Sequence, residues 1–286
     1  MKTSWTRTAA LLAAGVSSFL SCNPDEAPSQ REKKIEVVVS ILPQAEFVEK
    51  VGGGRVRVKV MIPPGASPHT YEPAPARLAE AGRAALYIAV GSGLSFERIW
   101  LEKLKALHPE MRVVASAEGI ERIGRDPHVW LSPKLAGLMV RRVCQALSRI
   151  DPGHRAAYER NRDAYLHELD GLDRKIRRIV RETGLRSFMV YHPSWGYFAR
   201  EYGLEQLAVE TEGKDPTPRR LARLVDLARQ RKVKAIFVSP QFDRRSAQAL
   251  ADEIGARIFV VDPLPRHYVE ELDRFADRLA RLGRSP

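Results

Sequence analysis

The feature that most constrains this chain is a rhythm of short β-branched runs separated by amphipathic stretches. Ile35 to Ser40, Val56 to Ile62, Leu86 to Val90 and Arg112 to Ala115 read as strands in the first half. Ser187 to Tyr191, Leu207 to Glu210, Ala235 to Ser239 and Arg257 to Val261 read as strands in the second. Between most of them lie stretches of helical periodicity, such as Pro75 to Gly82 and Thr217 to Arg231. Strands that alternate with helices imply parallel sheets, and nearly continuous apolar runs fit strands covered on both faces. The pattern predicts an α/β protein of two lobes, residues 35–150 and 185–286, each a four-stranded parallel sheet flanked by helices.

The segment that joins them, residues 151–184, predicts one long helix. Asp151-Pro152 is a good helix start, an N-cap residue followed by proline at the first helical position. Tyr158, Tyr165, Leu172 and Ile179 recur at intervals of seven, with Arg162, Leu169 and Ile176 as a second, partly apolar row. Thr183-Gly184 supplies the stop. About 30 residues at 1.5 Å each make a helix roughly 45 Å long. Such a joint between lobes predicts small, stiff motions; the alternative is a long helix packed inside one lobe.

At the amino terminus, Lys2 and Arg7 precede an apolar stretch from Ala9 to Leu20 that is too short to span a bilayer, which needs about 20 residues. Residues 1–21 therefore read as an export signal. Cys22 stands where a lipoprotein signal places the residue that receives lipid, although Phe19-Leu20-Ser21 departs from the usual pattern, and an ordinary cleaved signal is the alternative. Residues 22–34 are polar and read as a tether, reaching about 20 Å root-mean-square. After Ile35 no apolar run has spanning length. The expected location is the extracytoplasmic face of the membrane or the periplasm. The only other cysteine, Cys144, sits at apolar helical spacing and reads as a core thiol, so disulfides do not hold the fold. A formal charge of +12 invites a nucleic-acid partner. The arginines, however, are spread along helical stretches among acids and core residues, with no aromatic interleaving. No nucleic-acid partner is expected.

Among seven histidines, three share a position. His69 follows the second strand, His128 lies in the loop after the fourth, and His192 follows the strand ending at Tyr191; Asp262 ends the last strand. The carboxyl edge of parallel strands is where ligands bind in open α/β sheets. Two of these residues come from each half, so they converge only if the lobes face one another across a cleft. Three imidazoles and a carboxylate suit Zn²⁺, which takes nitrogen and oxygen ligands in tetrahedral array. Any one of these histidines alone is more often a surface or core residue than a ligand; it is the shared placement that argues for metal. Pro68, Pro127 and Pro193 beside them restrict the backbone. His108, His154, His167 and His267 lack the pattern and read as solvent-facing or structural.

The segments Pro-His-Thr-Tyr-Glu-Pro (68–73), Asp-Pro-His-Val-Trp-Leu-Ser-Pro (126–133), His-Pro-Ser-Trp-Gly-Tyr-Phe (192–198) and Glu-Gly-Lys-Asp-Pro-Thr-Pro (212–218) resemble those of the ZnuA/TroA-type solute-binding proteins of metal ABC transporters. The resemblance covers nearly all of the chain after Ile35. It implies two α/β lobes joined by a long helix, a metal held between them at His69, His128, His192 and Asp262, and a membrane permease as partner. It implies a carrier rather than an enzyme, with Zn²⁺ as cargo and Mn²⁺ or Fe²⁺ as alternatives; a monomer is expected. Zinc-specific relatives often carry a His- and Asp-rich loop before the second histidine motif, whereas residues 117–125 are short and contain no histidine. Manganese-preferring relatives usually have a carboxylate at the third ligand position, where this chain has His192, an imidazole that favours Zn²⁺ over the harder Mn²⁺. The competing class is a zinc hydrolase, which keeps an open metal position and a general base. Four protein ligands close the tetrahedron, no His-Glu-x-x-His is present, and Glu72 and Glu210 read better as supporting or capping groups than as bases. A third class within the family, adhesins, leaves no mark in this sequence.

Overall fold

The first half of the chain runs β1 (Ile35–Val39), α1 (Leu42–Gly52), β2 (Val56–Val60), α2 (Pro75–Ala81), β3 (Leu86–Ala89), α3 (Glu102–Leu107), β4 (Arg112–Ala115) and α4 (Pro133–Ile150). Then come α5 (Arg155–Thr183), β5 (Ser187–Val190), α6 (Gly196–Tyr202), β6 (Glu205–Ala208), α7 (Pro218–Gln230), β7 (Ala235–Val238), α8 (Arg245–Ile254), β8 (Arg257–Val260) and α9 (Tyr268–Arg284). The structure, a computed structural model, describes Met1 and residues 34–211, 214–242 and 245–284. The signal after Met1, Cys22 and all of the tether but its last residue lie outside the described residues. No described helix is long and apolar enough to cross a membrane.

The strands form two all-parallel sheets, ordered β2-β1-β3-β4 and β6-β5-β7-β8. In the second sheet the period-2 alternation of strand side chains divides the residues between two cores. Phe188, Val190 and Phe237 face the large core, which is continuous with the first half of the chain, whereas Met189, Ile236 and Val238 face a smaller one under α7 and α8. Seven of the eight expected strands start at the predicted residue and stop within two residues of the predicted end. The exception is β6, expected at Leu207 to Glu210 and observed at Glu205–Ala208. It is an edge strand, so polar Glu205 and Gln206 are tolerated there and carry no apolar signal. The backbone N–H groups of Val209 and Glu210 still bond the carbonyls of Val190 and Tyr191 (3.0 Å each), which carries the pairing past the strand end.

The long helix is present, with a different start. Pro152–His154 forms a 3₁₀ turn before α5, and Asp151 makes no side-chain cap. Its carboxylate is instead engaged by Arg55 (3.2 Å), the Tyr158 hydroxyl (2.5 Å) and His154 (3.0 Å). The expected C-terminal stop is observed, with Gly184 at φ 61°, a left-handed conformation that glycine adopts without penalty. The buried stripe comprises Tyr158, Tyr165, Leu166, Leu169, Leu172, Ile176 and Ile179. Cys144, on α4, is a buried free thiol as expected.

The helix packs on both halves. Its first half is bonded to α1 through Tyr165 Oη–Glu46 (2.8 Å), Lys50–Glu168 (2.8 Å) and Asn161 Nδ2–Val51 O (2.9 Å). Its second half is bonded to later elements through Lys175 to Asp273 and Asp277 (2.7 Å each) and through Tyr202 Oη to Asp173 (3.0 Å). The lobes also touch directly. Glu46, on α1, accepts from the backbone N–H of Tyr268 (2.5 Å), satisfying an orphan donor at the start of α9. Trp130 Nε1 donates to Pro263 O (2.7 Å), and Tyr268 Oη donates to Trp130 O (2.6 Å). The two sheets are thus held by a shared core, a shared helix and cross-bonds.

Candidate metal centre

The four residues singled out by the sequence all lie beyond strand ends: His69 after β2, His128 after β4, His192 after β5 and Asp262 after β8. The structure brings three of them together. One ring nitrogen from each of His69, His128 and His192 lies within 4.8 Å of the other two. Their ring centroids stand 6.1 Å (His69–His128), 5.2 Å (His69–His192) and 5.2 Å (His128–His192) apart. His192 comes from the second lobe and the other two from the first, so the cluster sits at the junction of the lobes.

Each buried histidine is held by a carboxylate on its Nδ1. His128 Nδ1 lies 2.7 Å from Asp126 Oδ1, which also accepts the His128 backbone N–H at 2.9 Å. Asp126 packs against Gly196, where a Cβ would fall 2.4 Å from a carboxylate oxygen, so a larger residue there would have to displace Asp126. His192 Nδ1 lies 2.7 Å from Glu210 Oε1, and Glu210 is only 3% exposed. A carboxylate that accepts the Nδ1 proton fixes the tautomer and presents the lone pair of Nε2. His192 Nε2 is buried and has no hydrogen-bond partner among the described residues. An orphaned buried acceptor is costly unless something binds it, and a metal ion satisfies it.

Electrostatics also favour neutral rings. His69 is exposed as a residue, yet its ring faces the other two. Loss of water, followed by the adjacent His192 and His128, pushes its pKa down to about 4. Burial lowers that of His128 as well, against the pull of Asp126. A neutral imidazole is the ligating form, so these shifts leave His69 and His128 ready for metal at neutral pH. The unfolded chain accepts a proton near pH 6.5 that folded His69 refuses until about pH 4. The metal-free protein should therefore lose stability as pH falls through that window. Thermal denaturation of the metal-free protein between these values tests this, and His69→Gln should flatten the dependence.

Asp262 is placed differently. It is not part of the three-nitrogen cluster, and its Oδ1 accepts from Gln241 Nε2 (2.8 Å) and from the Leu264 N–H (2.9 Å). Phe242, next to Gln241, stacks on the His192 ring at 4.8 Å and 22°. Neither Gln241 nor Phe242 was indicated by any sequence pattern, and Asp126 only as a flank of the His128 motif. Glu210 supports His192, as expected of it, whereas Glu72 is exposed. The remaining histidines are elsewhere: His154 on Asp151, His108 packed on Gly82, and His167 and His267 exposed. Glu210→Gln should lower zinc affinity tenfold or more, in the range typical of losing a partner behind a ligating histidine. Glu72→Gln should leave it unchanged, with both read by chelator competition.

Known proteins resemble this chain in sequence and in fold. Residues 37–281 match the family model described as zinc-uptake complex component A, periplasmic. The chain is 28% identical over 264 residues to the high-affinity zinc uptake system protein ZnuA of Bacillus subtilis (strain 168), covering 84% of this chain and 82% of that one. It is 30% identical over 237 residues to the zinc-binding protein TroA of Treponema pallidum (strain Nichols), covering 79% and 76%. A crystal structure of ZnuA superposes with a TM-score of 0.84 at 40% identity, covering 87% of this chain and 99% of that one.

Proposed function

The chain belongs to the family of periplasmic zinc-uptake components, and on that premise we propose that it captures Zn²⁺ at His69, His128 and His192, with Asp262 as the fourth ligand. It is the solute-binding component of a metal ABC transporter, not an enzyme, and its partner is the transporter's permease. The observation that carries the ligand assignment is the convergence of three histidine nitrogens within 4.8 Å. A tetrahedral zinc with Zn–N of 2.0–2.1 Å places its nitrogens about 3.3 Å apart. The histidines then need to close by an ångström or two at most. Imidazoles favour Zn²⁺ over Mn²⁺. Protein purified without added metal should contain zinc, and competition should rank Zn²⁺ above Mn²⁺ and Fe²⁺; preferential retention of manganese would refute the assignment.

The boundaries that go with this reading are a signal at 1–21, a tether at 22–34, lobes at 35–150 and 185–286 and the joining segment at 151–184. The protein acts as a monomer, outside the cytoplasm and anchored through lipid on Cys22. Cys22→Ser should release it from membranes. Metal loading changes the lobes little, because α5 has no internal proline and Gly171 as its one internal glycine. Small-angle scattering curves with and without Zn²⁺ should nearly superimpose, while hydrogen exchange slows at the histidine-bearing loops. A large closure of the molecule would contradict the stiff joint.

A further inference from the structure

We infer that Gln241 sets the position of the Asp262 carboxylate, and through it the number of protein ligands that a bound metal receives. This rests on the reading of Asp262 as the fourth ligand. In the second sheet β7 lies between β5 and β8, so the segment that leaves β7 emerges between the strand ends bearing His192 and Asp262. Two adjacent residues of that segment each hold one of them. Phe242 covers a face of the His192 ring. Gln241 Nε2 donates to Asp262 Oδ1 at 2.8 Å.

The chemistry of this contact is directional. A carboxylate only accepts, so the Gln241 amide must present its NH₂ to Asp262; the reverse orientation would set oxygen against oxygen. Gln241 Oε1 consequently points away, buried and without a hydrogen-bond partner among the described residues. The Leu264 N–H also donates to Oδ1, at 2.9 Å. Both described bonds to the carboxylate fall on the same oxygen, which leaves Oδ2 for a metal. Without the amide, Asp262 keeps, among the described residues, the Leu264 bond to its carboxylate and can swing about it. Gln241 is therefore a positioning residue, with Asp262 as the group that reaches the ion.

Co²⁺ is a suitable probe, because its visible absorption is intense with four ligands and weak when water expands the shell. We expect Gln241→Ala to weaken that absorption severalfold and to lower zinc affinity about tenfold. In an Asp262→Asn background the same change should have no further effect. Gln241→Met, which keeps the volume without the donor, should behave like Gln241→Ala and guards against a folding defect. Wild-type absorption and affinity in both Gln241 variants would overturn the inference, as would an equal loss in the Asp262→Asn background. If Asp262→Asn alone leaves the Co²⁺ spectrum unchanged, the four-ligand reading fails and the inference fails with it. If Asp262→Asn weakens the spectrum and the Gln241 variants do not, the inference alone fails.

Discussion

His192→Ala is expected to weaken zinc binding at least a hundredfold, about 2.8 kcal/mol. Three losses combine in this one change. The cluster loses a nitrogen that is already buried and, among the described residues, unpaired. It loses the only imidazole that the second lobe contributes to the cluster, so Asp262 alone ties the ion to that lobe. The buried Glu210 carboxylate loses the Nδ1–H that it accepts. Calorimetric titration against a chelator reads the effect. Exposed His167 is the control, and His167→Ala should shift affinity less than twofold. A near-native affinity in His192→Ala would mean that the metal sits elsewhere.

The second large effect falls on stability. Trp130→Ala should cost about 3–5 kcal/mol, as expected for emptying a fully buried aromatic site. For a body of this size that lowers Tm by roughly 10 °C. Trp130 is 0% exposed, and its indole N–H reaches across to Pro263 O in the other lobe. Its ring also meets His128 edge-on at 5.2 Å. The substitution therefore removes core volume, a bond between lobes and a wall of the metal site together. Thermal denaturation should show the loss both with and without zinc, and zinc affinity should fall alongside. A Tm within two or three degrees of wild type would show that the junction repacks at little cost.

The fold was legible because its signals are local. Each β-branched run is short and flanked by turn residues, and the α5 stripe repeats within one element. His69, His128 and His192 were legible because each stands beside a proline, His69 and His192 after a strand end and His128 in the loop after the fourth strand, and the resemblance to a known family rests on those same segments. Contacts between distant segments left no such trace. The Glu46 carboxylate that receives the Tyr268 N–H is 222 residues away from it. Nothing in the composition near Phe242 says that its ring will lie on His192. Asp262 shows the intermediate case: the strand end located the residue, but only the fold revealed that its Oδ1 is already held by Gln241. Asp151 illustrates how local grammar is overridden, since its oxygens serve Arg55, Tyr158 and His154 instead of the helix start.

The central claim is that one zinc ion binds where the three histidines converge. Crystals grown with zinc, with diffraction recorded on both sides of the zinc absorption edge, test it most directly. The account predicts a single strong anomalous peak about 2.0–2.1 Å from a ring nitrogen of each of His69, His128 and His192, with an oxygen of Asp262 completing the shell. A peak at another group of residues, or none between these three rings, would contradict it.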